Sequence, residues 1–393
     1  MKTPLIPADV LARADKILLV GHFALGDFTY MQNYIRALAR EYPHIKVHIW
    51  VDELRRTWKF WQWRFLKKYA LYDWLEACPF IEKVYKHTYS PIGLRHDIKR
   101  AQAEHYPVVV SLGSLRPFRY IRLARRLGGR DAFVVGLSYP VQWYQLIRRW
   151  SYAKANALEP VNAGAAPGHH ISDRYALWFE HLAGVHVPQK DRFPFINMPT
   201  EWITYAKLLF LKWGIDKQSK QFGRVIFINP FAKSGKRSWP LEHVLALIVS
   251  LRRKDEYGDV SFVINVVPEA LKGAKAFFSK HSLNNTFLFS AENNFFQLPA
   301  VLSLCDFVIS VETSIMHFAS ALHVPVVALM RQKNPEWAPI DAGNAIVITT
   351  KTREGVVGDI PVAEVLHALE QVKPARLTTM DDAQKTCTSE VLL

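Results

Sequence analysis

Short, unbroken apolar runs alternate along this chain with segments of helical period, and that alternation restricts the fold more than any other feature. Residues 16–20 (KILLV) form such a run, closed by Gly21. From Asp27 the spacing turns helical, with Tyr30, Tyr34, Ala37 and Leu38 on one face and Arg36, Arg40 and Glu41 elsewhere. Residues 46–51 (KVHIWV) are the next run. A run without polar alternation reads as a strand covered on both faces, as in a parallel sheet. Strand, glycine turn, helix and strand together make a βαβ unit. Residues 107–112 and 132–137 are further strands of the first half.

The second half repeats the style. Residues 224–229, 260–267, 286–289, 307–311 and 324–329 read as strands. Helical segments at 240–252, 269–280, 296–304 and 314–322 separate them. The class is therefore α/β, with two doubly wound parallel sheets. Pro188, Pro194 and Pro199 interrupt the periodicity between the halves. The expected domains are 1–193 and 194–375, followed by a loose polar tail at 376–393. Residues 157–170, rich in Ala, Gly and Pro, read as a loop. No repeat of solenoid period is present.

A chain of 393 residues that is 50% hydrophobic exceeds one ordinary core. Its net charge of +15 calls for an anionic partner: nucleic acid, an anionic membrane or a phosphorylated substrate. Cys78, Cys305 and Cys387 match neither a zinc cluster nor a disulfide framework. No secretory segment follows the first Met, so a reducing cytoplasm is expected. No apolar stretch is long enough to span a bilayer, so any membrane association would be peripheral.

Ligands of open α/β sheets bind beyond the carboxyl ends of the strands, here in a cleft between the two domains. The residues that follow each strand are therefore the candidates. After the first strand comes Gly21-His22-Phe23-Ala24-Leu25-Gly26-Asp27, which is neither a dinucleotide fingerprint nor a P-loop. Asp27 has two readings, a helix cap or a carboxylate presented to the cleft. After residues 224–229 comes a loop with Lys233, Ser234, Lys236 and Arg237, where cations beside a helix start suit a diphosphate. The bland alternative is a solvated basic loop. After residues 307–311 comes Glu312-Thr313-Ser314-Ile315-Met316-His317. Thr313 or Ser314 can cap the next helix and leave its N–H groups facing a ligand. Glu312 can accept from sugar hydroxyls. His317 is either structural or in contact with ligand.

Taken together, these elements resemble glycosyltransferase family 9, the ADP-heptose:lipopolysaccharide heptosyltransferases, over residues 15 to 370. The family's G-D helix start is matched by Gly26-Asp27, and its K-x-W-P element by Arg237-Ser238-Trp239-Pro240. Its D-T-G-x-x-H element is matched by Glu312 to His317, followed by the run at 324–329. Its P-x-W-x-P element is matched by Pro335-Glu336-Trp337-Ala338-Pro339. The resemblance implies a GT-B fold, two Rossmann-like domains with an interdomain active-site cleft. It implies inverting, metal-independent transfer from an ADP-sugar, with no cofactor. Asp27 would be the general base, and Arg237 with Lys236 would stabilise the leaving diphosphate. Glu269 would hold the donor ribose. Thr313, Ser314 and His317 would contact diphosphate or sugar. Glu312 for Asp, Ser314 for Gly and Arg237 for Lys depart from the family pattern, and the first two fall where the donor sugar is expected. The alternatives are a GT-B transferase or epimerase using a UDP-sugar, or a non-catalytic nucleic-acid-binding module.

Cations and aromatics interleave in the first half. One cluster runs from Arg55 and Arg56 through Trp58, Trp61 and Arg64 to Lys68. Another holds Arg116, Arg119, Arg122, Arg125, Arg126 and Arg130, and a third Arg148, Arg149 and Lys154 beside Trp143, Tyr144 and Trp150. The plain reading is a solvated cationic face beside core aromatics. Nucleic acid and anionic lipid are the functional readings. The family's acceptor is a phosphorylated glycolipid at the inner membrane. The resemblance therefore favours lipid over nucleic acid, with Arg55, Arg56, Arg64, Arg119 and Arg122 as acceptor or membrane contacts.

Overall fold

The computed structural model describes residues 3–162, 169–216, 224–254, 257, 259–281, 283–340 and 343–372. The expected tail at 376–393, with Cys387, lies outside the described residues. The chain divides into two compact units: Met1–Asn197 with Asn293–Phe296, and Met198–Glu292 with Gln297–Leu393.

The first unit holds strands β1 (Lys16–Gly21), β2 (Lys46–Val51), β3 (Lys83–Tyr85), β4 (Val108–Ser111), β5 (Phe133–Ser138) and β6 (Ala157–Pro160). Its helices are α1 (Ala8–Arg13), α2 (Leu25–Glu41), α3 (Phe60–Leu66), α4 (Leu71–Glu76), α5 (Pro91–Gln102), α6 (Pro117–Gly128), α7 (Leu146–Tyr152) and α8 (Ile171–Ala183). The second unit holds β7 (Val225–Asn229), β8 (Ser261–Asn265), β9 (Thr286–Phe289), β10 (Phe307–Val311), β11 (Val326–Met330) and β12 (Ala345–Thr349). Its helices are α9 (Thr200–Lys212), α10 (Leu241–Arg252), α11 (Leu271–Phe278), α12 (Gln297–Ser303), α13 (Ser314–Ala321) and α14 (Val362–Gln371).

Both sheets share one topology. The first runs β3-β2-β1-β4-β5-β6 and the second β12-β11-β10-β7-β8-β9, which is the same order read from the other edge. Adjacent strands pair in parallel, for example Val20 with Ser111 across β1 and β4, and Ser310 with Asn229 across β10 and β7. The expected doubly wound α/β fold is thus present twice. Every residue of β7, β8, β10 and β11 is buried, which is why these strands read as continuous apolar runs. In the first unit Leu18, Val20, Trp50, Val109 and Val134 pack with Ile98 and Ala101 of α5 and Tyr120, Ala124 and Leu127 of α6.

The structure departs from the sequence reading in places. Residues 157–160, expected in a loop, form β6 and pair with β5, Val135 opposite Ala157 and Ser138 opposite Pro160. An edge strand needs only one partner, so its Ala-Leu-Glu-Pro sequence suffices. β3, three residues long, carries no apolar run and was not expected; β12 (AIVIT) does carry one but was not expected either, and it is an edge strand with no fully buried residue. Helix α2 begins at Leu25, two residues before the change of period. No helix among the described residues is long and apolar enough to cross a membrane.

Candidate functional site

The strand order reverses between β1 and β4 in the first unit and between β7 and β10 in the second. Ligands of this sheet type collect at the carboxyl ends beside that reversal. Asp27 and the two loops of the second half all start there.

Asp27 is the third residue of α2. The residue before that helix, Ala24, has no side chain to cap it, and Asp27 Oδ2 accepts the Ala24 N–H at 3.2 Å. Its other oxygen, Oδ1, accepts the hydroxyl of Tyr175 at 2.8 Å. Tyr175 is buried on α8, which is held against α2 where the Tyr34 hydroxyl donates to Ser172 O at 2.6 Å. Gly184 ends α8 at φ 72°, a conformation glycine adopts without strain, and its N–H returns to Glu180 O. Asp27 therefore caps the helix, as one of its two readings has it, and is also oriented by a fixed donor. Burial raises its pKa above the usual carboxylate value. Tyr175, the Ala24 N–H and the nearby His22 oppose that rise. The residue as a whole is half-buried.

In the second unit, β7 ends on Asn229. Its side-chain amide donates to Ser310 Oγ at 3.1 Å and Thr313 Oγ1 at 3.0 Å, and its oxygen accepts from Asn265 Nδ2 at 2.9 Å. The ends of β7, β8 and β10 are thereby joined by side chains. Thr313 caps α13, its hydroxyl accepting the Ile315 N–H at 3.4 Å, and Ser314 is the first helical residue. The loop after β7 folds back through Trp239, whose N–H donates to Pro230 O at 2.8 Å and whose buried indole donates to Ile360 O at 3.0 Å. A short 3₁₀ turn, Gly235–Arg237, carries the cations. Lys233 and Lys236 are exposed and Arg237 is half-buried. Their side chains make no hydrogen bond or ion pair among the described residues. Free cations beside a capped helix start form an anion-attracting surface.

Residues 204–355 match the sequence profile of glycosyltransferase family 9 (heptosyltransferase). The chain is a glycosyltransferase carrying a family 9 domain. A glycosyl transferase family 9 structure from Veillonella parvula aligns with a TM-score of 0.70 at 18% identity, covering 94% of this chain and 98% of its own. ADP-heptose LPS heptosyltransferase II of E. coli aligns at 0.66 and 19%, over 90% of this chain and 97% of its own. E. coli heptosyltransferase WaaC with ADP aligns at 0.60 and 16%, over 90% and 99%. No curated protein sequence matches the chain. The shared fold is GT-B.

The family 9 domain rearranges some expected contacts. Glu312, expected to accept from sugar hydroxyls, is buried and already engaged. Arg331, just past β11, donates to it through Nε at 3.1 Å and Nη2 at 3.3 Å, and Asn334 Nδ2 lies 3.5 Å away. His317 is buried, with its ring 6.1 Å from that of Trp337, so the D-T-G-x-x-H and P-x-W-x-P counterparts meet in space. Glu269 lies on an exposed 3₁₀ turn, Pro268–Ala270, at the same sheet edge.

The basic clusters divide. Arg55 forms a two-bond pair with the buried Glu53, 2.8 Å in each bond. Arg56 pairs with Asp52 and donates to Thr88 O at 2.6 Å. These two, expected to contact acceptor or membrane, instead brace the turn after β2, because carboxylates on that turn neutralise them. Arg64, Arg119 and Arg122 are exposed as expected. Arg125 donates to the carbonyls of Gly129, Ala132 and Lys154 and is structural.

Sequence reasoning missed Tyr175, Asn229, Asn265 and Arg331. Asn229 and Asn265 had a signal, since each places an amide at the end of an otherwise apolar strand. Tyr175 had none, standing 148 positions from Asp27.

Proposed function

We propose that the chain is an inverting, metal-independent transferase. It moves a heptose or related sugar from an ADP-sugar to a phosphorylated glycolipid of lipopolysaccharide-core type, at the cytoplasmic, anionic face of the inner membrane. The observation that carries the reading is Asp27, a carboxylate at a helix start with one oxygen held by Tyr175 and a pKa raised by burial. A base whose pKa is raised toward the working pH is suited to take a proton as a bond forms. The acceptor hydroxyl attacks the anomeric carbon while its proton passes to Asp27. The bond from that carbon to the diphosphate oxygen breaks, and its electron pair leaves with ADP. Arg237 and Lys236 neutralise the charge that develops there. Thr313, Ser314 and the α13 N-terminus receive diphosphate oxygens. Lys233 and Ser234 extend that surface, and Glu269 holds the ribose. His317 supports the sugar pocket through Trp337. Glu312, tied to Arg331, presents an ion pair rather than a lone carboxylate to the sugar.

The test is mass spectrometry of the product from ADP-heptose and a lipid-core extract, with calorimetry on ADP, UDP and GDP. A heptosylated lipid and preference for ADP are expected. Preference for UDP would replace this reading with a UDP-sugar transferase or epimerase. No turnover together with tight RNA binding would replace it with a nucleic-acid module.

A further inference from the structure

The large exposed hydrophobic side chains of the first unit are not scattered. Trp58, Phe60, Trp61 and Phe65 lie on the connection that leaves β2, with Phe60 70% exposed. Trp143, Leu146, Ile147 and Trp150 lie on the connection that leaves β5, at 78%, 68%, 69% and 56%. Leu115 and Ile92, both exposed, follow β4 and β3. All these connections leave the carboxyl edge of a parallel sheet, the edge on which Asp27 follows β1. A soluble surface tolerates single apolar side chains, but a clustered set marks a docking surface.

The flanking charge identifies the occupant. Residues 57–72 and 139–158 contain Lys59, Arg64, Lys67 and Lys68, then Arg148, Arg149 and Lys154, and no Asp or Glu. Lys154 Nζ stands 4.0 Å from the centre of the Trp150 ring and the Arg122 guanidinium 5.4 Å. A second copy of this face would bring like charges together. Nucleic acid would use the aromatic rings but has no use for Leu146 and Ile147. A bilayer uses all three kinds of side chain. Aliphatic groups enter the acyl boundary, Trp and Tyr sit at headgroup level, and Arg and Lys meet lipid phosphates.

We infer that the β2 and β5 connections insert their apolar side chains into the surface of an anionic bilayer, so that burial as well as charge holds the Asp27 edge of the first unit against lipid. This deepens the acceptor side of the proposed function and rests on that reading for its purpose. Two signals acting together give stable interfacial binding where either alone gives reversible contact.

The test uses the full chain with phosphatidylcholine vesicles carrying or lacking phosphatidylglycerol, floated at low salt and at about 0.5 M salt, where screening shortens to a few ångströms. Tryptophan quenching by brominated acyl chains reads insertion. Binding to anionic vesicles that partly survives high salt, with quenched fluorescence, is expected. Leu146→Ser/Ile147→Ser, a change at two exposed positions, should lower the partition coefficient about tenfold or more while leaving ADP affinity unchanged. Binding abolished by salt with no quenching would overturn the inference. So would a double variant that partitions like the parent, or an RNA oligonucleotide that displaces the protein from vesicles. Failure of the function reading shows separately, as no transfer from ADP-heptose to acceptor dispersed in detergent.

Discussion

At the residue scale, Asp27 combines a structural and a chemical demand. Its folded pKa lies above the unfolded value because burial disfavours the charge. The linked stability is therefore present below the unfolded pKa, near about 3.9, and is lost as pH rises through the folded pKa. Asp27→Asn removes that cost. The urea midpoint of the variant should gain on the parent as pH rises from 4 to 8, and a gap independent of pH would contradict this. The same variant should lose about 10²- to 10⁴-fold in transfer rate with ADP binding intact. Tyr175→Phe acts in the opposite electrostatic sense to the native hydroxyl. The Tyr175 O–H favours the carboxylate, so its removal raises the Asp27 pKa further and moves the acid limb of the rate profile to higher pH. His22, Tyr69, Arg174 and Tyr34 also face this pair and stay unchanged. The rate near neutrality should fall about tenfold, the worth of one hydrogen bond to a charged group, and recover in alkali. A profile that drops evenly at all pH values would assign Tyr175 a merely structural role.

At the element scale, the second sheet is tied at its carboxyl edge by amides. Asn229 accepts from Asn265 and donates to Ser310 and Thr313, so the cap of α13 is fixed to β7. Asn229→Ala removes these three hydrogen bonds, at a cost of about 1–3 kcal/mol. Denaturant unfolding should show that loss, and KM for the nucleotide-sugar should rise more than kcat falls, because Asn229 positions a binding surface rather than a reacting group. An unchanged KM would detach this network from donor binding. The edge amides were partly legible: polar residues closing VIFIN and SFVIN break an apolar pattern that burial on both faces otherwise enforces. The pairing of Glu312 with Arg331 was not legible, because β10 and β11 become neighbours only in the sheet.

At the scale of the whole molecule, the chain forms two compact units. A nucleotide that binds only the second unit stabilises that unit by mass action. ADP at a hundred times its dissociation constant should add about 2.7 kcal/mol to the unfolding transition of the second unit, seen by calorimetry, and UDP far less. An equal effect of both nucleotides would remove the adenine preference. The net charge of +15 concentrates its useful part on the first unit, once Arg55, Arg56 and Arg125 are set aside as structural.

The sequence alone determined the α/β class, the doubled sheet and the place of Asp27, Lys236, Arg237 and Thr313 at strand ends. Those features follow from local periodicity and from the rule that such sheets bind ligands at their carboxyl edge. Only the tertiary structure decided which charges are free. Asp52 and Glu53 take Arg56 and Arg55, Arg331 takes Glu312, and Tyr175 reaches Asp27 from a helix far along the chain. Pairing depends on which side chains the fold brings within hydrogen-bond distance, and no periodicity encodes that. Edge strands β3 and β6 were lost for a related reason: a strand with one neighbour and partial burial needs no continuous apolar run.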